Sequence, residues 1–183
     1  FIEKLNLKRD IAVTAHRGSS MDAPENTLSA VRKAISDTAD YAEIDVQATS
    51  DGVVVLIHDG DLMRIAAVDR KINEISFDEL MGIDIGSWFS PAFRNERMAK
   101  LTEVIDAAQN RIKLNIELKY NRPDPVLAEK VVGIIREKSF AGQCLVSSLD
   151  YRALMAVKRM APEIKTGFIV SYAIGKLDRT KTE

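Results

Sequence analysis

The sequence predicts an α/β fold, a TIM (β/α)8-type barrel truncated after about six strands, and three observations predict it. Short β-branched runs alternate with amphipathic stretches of helical period, which is the pattern of parallel βαβ units. Chemically active residue types gather at the carboxyl ends of several of those runs, where a barrel of this kind builds its site. The first strand is followed by HRGSS, which lacks the G-x-G-x-x-G loop of a doubly wound nucleotide-binding sheet.

In chain order, IAVTA (11–15) reads as the first strand. In PENTLSAVRKAISD, Leu28, Val31 and Ile35 recur at helical spacing behind residues suited to capping, which predicts a helix over about 27–37. YAEIDVQ (41–47) and VVVLIH (53–58) read as strands joined through Ser50-Asp51-Gly52, and Asp-Gly between β-rich runs is a strong hairpin signal. Residues 60–100 lose regular period. They hold one short helix candidate, SFDELMG, and the segment GSWFSPAF, and they read as a small insertion packed over the early strands. Alternation then returns with a helix near 101–109, a strand at 113–119 (KLNIELK), a helix near 125–138, a strand at 144–149, a helix near 150–160 and a strand at 166–170. The tail SYAIGKLDRTKTE is too short for two more βα units, so 1–183 reads as a single barrel domain, incomplete at its C-terminus, with 60–100 inserted in it.

Composition narrows the partners. With 183 residues, 46% of them hydrophobic, the chain is long enough for one domain with a substantial core. Lys and Arg number 26 against 27 Asp and Glu, so no cationic excess argues for nucleic acid as a principal partner. Cys144 lies in the apolar run CLV and is expected to be a buried, inert thiol; a single cysteine forms no internal disulfide. No apolar stretch approaches the roughly 20 residues needed to span a bilayer. The expectation is a soluble domain of unknown location. Phe1 and Ile2 with Lys4, Lys8 and Arg9 suit either a segment leaving a membrane tether in flanking sequence or an ordinary surface helix.

Side chains alternate across a strand, so Glu43 and Asp45 share one face of their strand, and Asn115, Glu117 and Lys119 share one face of theirs. Three carboxylates converging inside a barrel repel one another unless a cation lies between them. A hard divalent ion with oxygen ligands is one solution; a buried ion network with Arg17 and Lys119 is the other, and spacing leaves both open. A turn centred on Asp51-Gly52 sets Asp45 opposite His58, and His16 ends the neighbouring strand. Two histidines at one mouth form an acid/base couple suited to phosphoryl transfer. Arg17 offers a forked donor to a phosphate oxygen and Lys119 a point charge. In PENT, Asn26 or Thr27 is expected to cap the helix and Glu25 to tether the loop at the edge of the site.

His16-Arg17-Gly18, Pro24-Glu25-Asn26-Thr27, Glu43-x-Asp45, Thr49-x-Asp51-Gly52, His58-Asp59 and Glu117-x-Lys119 together resemble, in order and spacing, the glycerophosphodiester phosphodiesterase family. The resemblance runs from about 12 to 170. It implies a TIM barrel that hydrolyses small-molecule glycerophosphodiesters to glycerol 3-phosphate and an alcohol with a divalent cation, Mg2+ or Ca2+, with Mn2+ an alternative. It further implies Glu43, Asp45 and Glu117 as metal ligands, His16 and His58 as the acid/base pair, and Arg17 and Lys119 as the phosphate holders. The insertion resembles the family's extra subdomain, and GSWF its G-x-W-F element. The chain departs from the family pattern in two supporting places. Ile65-Ala66 follows Leu62-Met63-Arg64 where the family commonly has Thr-Thr, and Ala99-Lys100 stands where it commonly has Pro-Thr. The missing last strands put turnover by this chain in question. A non-catalytic phosphodiester-binding module and a phospholipase of similar barrel fold are the rival readings.

Overall fold

In a computed structural model, which describes residues 11–120 and 126–170, the frame is one six-stranded sheet. Its wall consists of β1 (Thr14–Ala15), β2 (Tyr41–Ala48), β6 (Lys113–Leu118), β7 (Cys144–Ser148) and β8 (Lys165–Phe168), all parallel and hydrogen-bonded in that order. Among the described residues the order begins at β1 and ends at β8 without closing, so the wall they form is an open arc of barrel. The sixth strand, β3 (Val54–Leu56), folds back antiparallel on the end of β2 and stands off the path. The insertion that follows contains a two-stranded ribbon, β4 (Asp61–Leu62) with β5 (Val68–Lys71), and two one-turn helices, α2 (Met63–Ala66) and α3 (Phe77–Leu80).

Four longer helices cover the outside of the wall: α1 (Leu28–Ser36), α4 (Leu101–Ala108), α5 (Leu127–Glu137) and α6 (Tyr151–Met160). Each presents one apolar stripe. Val31 and Ala34 of α1, Val104 and Ile105 of α4, Val131 and Ile135 of α5 and Val157 of α6 join Ala42, Ile44, Val46, Ile116 and Val146 of the strands in one buried core. Cys144 lies in that core, and burial pushes its thiol up to about 12. Val55 and Ile57 belong instead to a second core under the insertion with Leu62, Ile72, Leu80 and Met98. The period of two in VVVLI therefore splits the strand between cores, with Val54 and Leu56 facing the barrel helices.

The hairpin register corrects the expectation. Val46 pairs with Leu56 and Ala48 with Val54, and Ile57 rather than His58 donates its N–H to the Asp45 carbonyl. The cause is the loop, which spans five residues and centres on Asp51 rather than between Asp51 and Gly52. Its ends are tied by Thr49 and Val53, which exchange hydrogen bonds, and Gly52 takes the positive φ of +82°. Among the described residues no helix is long and apolar enough to cross a membrane. The segment holding Lys4, Lys8 and Arg9 and the tail from Ser171 lie outside the described residues.

Candidate active site

The site lies at the carboxyl ends of β1 and β6 and across the middle of β2. The chain leaves β1 through His16 into a tight loop in which Arg17 takes φ 56° and Gly18 φ 75°. A Cβ on Gly18 would come within 2.7 Å of Ala30, so glycine lets the loop lie directly on α1. The turn aims the Arg17 backbone N–H at Glu43 Oε2, 2.8 Å away, and ties Gly18 N–H to the Glu43 carbonyl at 3.0 Å. The loop closes on α1 through Thr27, whose hydroxyl accepts from Ala30 N–H at 3.1 Å and donates to the Pro24 carbonyl at 2.6 Å. Of the two capping candidates, Thr27 is the cap. Asn26 serves the site: its side chain donates to Asp45 Oδ2 at 2.8 Å and accepts the Asp45 backbone N–H at 2.9 Å.

Because β2 and β6 are paired in register, with Asp45 beside Glu117, their inward side chains form one cluster. One carboxylate oxygen each from Glu43, Asp45 and Glu117 lies within 4.8 Å of the others. Lys119 Nζ stands 2.9 Å from Glu117 Oε1 and 3.5 Å from Asp45 Oδ1, and Arg17 Nε is 3.5 Å from Asp45 Oδ2 without a hydrogen bond. His16 Nε2 is 3.8 Å from Glu43 Oε2. Both alternatives left open by the sequence are thus built into one cluster: the acids converge, and the two cations flank them.

The cations do not satisfy the cluster. Three carboxylates face two positive side chains, and Glu43 Oε1 is buried without a hydrogen-bond partner among the described residues. Burial, the neighbouring Asp45 charge and, more weakly, Glu117 push the Glu43 carboxyl up to about 7 against the Arg17 N–H, which favours ionisation. An unpartnered buried carboxylate oxygen in an all-oxygen donor set fits a hard divalent ion.

His58 is held by a second cluster. Its Nδ1 lies 2.7 Å from Asp59 Oδ1. Arg64, on α2, donates from Nε to Asp59 Oδ2 at 2.6 Å and from Nη2 and Nη1 to the two Glu25 oxygens at 2.7 and 3.0 Å, and Glu25 accepts from Arg17 Nη1 at 2.8 Å. Gln47, inward on β2, donates its amide to the Ile57, His58 and Asp59 carbonyls, which shapes the chain beyond β3. Burial opposes ionisation of Glu25 and Asp59, yet both carboxyls are held below the usual range. Hydrogen bonds from Arg64 do most of this, joined by Arg17 at Glu25 and by His58 at Asp59. Sequence reasoning missed Asn26, Gln47, Asp59 and Arg64 as site residues. Asn26 and Asp59 carried a signal, standing in the Pro24-Glu25-Asn26-Thr27 and His58-Asp59 motifs, as did Gln47, the third inward position after Glu43 and Asp45.

The model of the glycerophosphoryl diester phosphodiesterase family matches residues 16–182. A glycerophosphodiester phosphodiesterase of Caldanaerobacter subterraneus is 35% identical over 159 residues, 86% of this chain and 65% of its own length. The structure of an Oleispira antarctica phosphodiesterase in complex with the product sn-glycerol-3-phosphate is similar at a TM-score of 0.78 and 35% identity, over 88% of this chain and 66% of that one. A glycerophosphodiester phosphodiesterase from Agrobacterium tumefaciens matches at a TM-score of 0.77 and 28% identity, over 85% of this chain and 65% of that one. The chain thus spans just under two thirds of the length of each of these three proteins.

Proposed function

Because the chain belongs to the glycerophosphoryl diester phosphodiesterase family, we propose that it hydrolyses glycerophosphodiesters to glycerol 3-phosphate and an alcohol, with His16 and His58 as base and acid. The observation that carries this reading is the convergence of Glu43, Asp45 and Glu117 within 4.8 Å between Arg17 and Lys119. Glu43, Asp45 and Glu117 would hold a divalent cation, Mg2+, Ca2+ or Mn2+, which supplies charge neutralisation at the phosphoryl oxygens. With Glu43 ionised, the three acids and their two cations alone leave one surplus negative charge, which repels an anionic phosphodiester; a doubly charged ion reverses that sign.

Arg17 presents its fork to a phosphate oxygen and Lys119 a single ammonium, so the two fix the phosphorus between the strand ends. His16 takes the proton from the substrate's own glycerol hydroxyl as that oxygen bonds to phosphorus. The bond to the leaving alkoxide breaks, and His58 gives it a proton. The resulting cyclic phosphate is opened by water with the two roles exchanged. Asp59 is ionised and can only accept, so the His58 Nδ1 carries its hydrogen, and Nε2 is assigned as the working nitrogen. The 1–183 barrel domain with its 60–100 insertion is the unit that presents these groups.

The test is release of glycerol 3-phosphate from glycerophosphocholine by the intact protein, with Mg2+, Ca2+ or Mn2+ and with chelator. Product is expected, with its loss on chelation and a fall of about 10²- to 10⁴-fold in His16→Ala and His58→Ala. Diester that binds without turnover would make the chain a binding module. Preference for intact phospholipid over its deacylated form would make it a phospholipase.

A further inference from the structure

Arg64 sits on a one-turn helix of the insertion, yet its guanidinium reaches both sides of the site. Nε bonds Asp59, the carboxylate against the His58 ring, and the two terminal nitrogens bond Glu25, the carboxylate against Arg17. The Trp88 ring lies over the guanidinium carbon, 5.7 Å from it to the ring centroid. Trp88 is itself fixed, its indole N–H donating to the Ile85 carbonyl at 2.8 Å and its ring set edge-on to Phe89. Gly86 allows this fold of the segment, because a Cβ there would meet the Phe93 carbonyl oxygen at 2.1 Å.

We propose that Arg64 is a positioning residue, one that holds Asp59 against His58 and Glu25 against Arg17 and thereby links the seating of the insertion to the placement of both groups. The inference rests on the reading of His58 as the acid and Arg17 as a phosphate holder. The fork is what the task requires. Three nitrogens in one plane serve two carboxylates at fixed angles, and a lysine, with its donors on a single nitrogen, cannot span both. Misplacing His58 slows proton delivery to the leaving group, whereas substrate is still bound through Lys119 and the divalent cation that Glu43, Asp45 and Glu117 would hold.

The variants Arg64→Ala and Arg64→Lys, made in the intact protein, test this by steady-state kinetics with glycerophosphocholine. Arg64→Ala is expected to lower kcat about 30- to 100-fold with KM changed less than about threefold, and Arg64→Lys to remain at least about tenfold below wild type. Guanidinium ion, at concentrations that leave the fold intact, is expected to raise kcat of Arg64→Ala several-fold and to leave His58→Ala unchanged. The ¹⁵N shifts of the His58 ring are expected to move from a hydrogen-bonded Nδ1–H form toward a tautomer mixture in Arg64→Ala. A kcat within about twofold of wild type, a loss confined to KM, or no rescue overturns the proposal. If Arg64→Ala does not fold, full kcat in Arg64→Lys overturns it. A wild-type protein without turnover would overturn the proposed hydrolysis instead. The ring signals would then decide the coupling alone, and unchanged signals would overturn it.

Discussion

The two faces of β2 and β6 are built from adjacent residues and do opposite things. On the outward face Ile44, Val46, Ile116 and Leu118 are buried in the main core with the apolar stripes of the α-helices. On the inward face Glu43, Asp45 and Glu117 crowd together, and Glu43 keeps a buried oxygen without a partner among the described residues. One face supplies stability through transfer and packing. The other spends part of it, because buried like charges raise the free energy of the folded chain until a cation joins them. The lesson is that a period-two strand lets a barrel keep these ledgers apart: chemistry can be altered on one face without repacking the other.

The largest expected effect comes from breaking the outward face. Ile44→Ala removes a fully buried side chain from the middle of the main core and is expected to lower stability by about 3–4 kcal/mol, read from the shift in urea midpoint at unchanged slope. A loss below about 1 kcal/mol would mean that the core relaxes around the cavity, and the division between faces would fail.

The inward face is expected to respond with the opposite sign. The ordinary Glu43 carboxyl value of 4.5 rises to about 7 in the fold, so between these values the folded chain binds more protons than the unfolded one. Stability conferred at the acid end therefore declines as pH rises from 4.5 to about 7 and stays low above it. Glu43→Gln removes that slope. In chelator at alkaline pH the variant is expected to be more stable than wild type, by an upper bound on the order of 2–3 kcal/mol, and near pH 4 to match it. Urea melts of both proteins across this range provide the check, and a difference that does not vary with pH would sink the argument.

The outward face was also the legible one. Leu28, Val31 and Ile35 mark their helix, and KLNIELK marks its strand, because a long element repeats its period several times against a single core. The convergence of Glu43, Asp45 and Glu117 followed from the same alternation. What stayed hidden was set by short elements and loop geometry. The ribbon Asp61–Leu62 with Val68–Lys71 and the single turn Met63–Ala66 are too short for a repeating apolar pattern, so Arg64 gave no sign that its guanidinium meets Glu25 across the insertion. The one-residue error at Asp45 arose because Asp-Gly signals a turn but does not count its residues. Likewise Ala99-Lys100 shows its cost only in three dimensions. Glu103 accepts the Lys100 backbone N–H at 2.8 Å, but an ammonium side chain cannot return the bond that a threonine hydroxyl would make.

The smallest expected effect sharpens the comparison at the seam where the two faces meet. Thr27 is fully buried and belongs to neither: it caps α1, which packs outward, while its neighbour Asn26 clamps Asp45, which faces inward. If the faces are separable, Thr27→Ala should cost about 1 kcal/mol of stability through the lost cap and leave kcat within about twofold, with Thr27→Ser restoring most of the loss. Asn26 keeps both bonds to Asp45 in this variant only if the loop retains its shape without the Thr27 hydroxyl on the Pro24 carbonyl. Parallel thermal melts and glycerol 3-phosphate assays distinguish the cases. A fall in kcat well beyond what unfolding explains would show that the cap sets the aim of Asp45, and that helix and carboxylate form one mechanical unit rather than two.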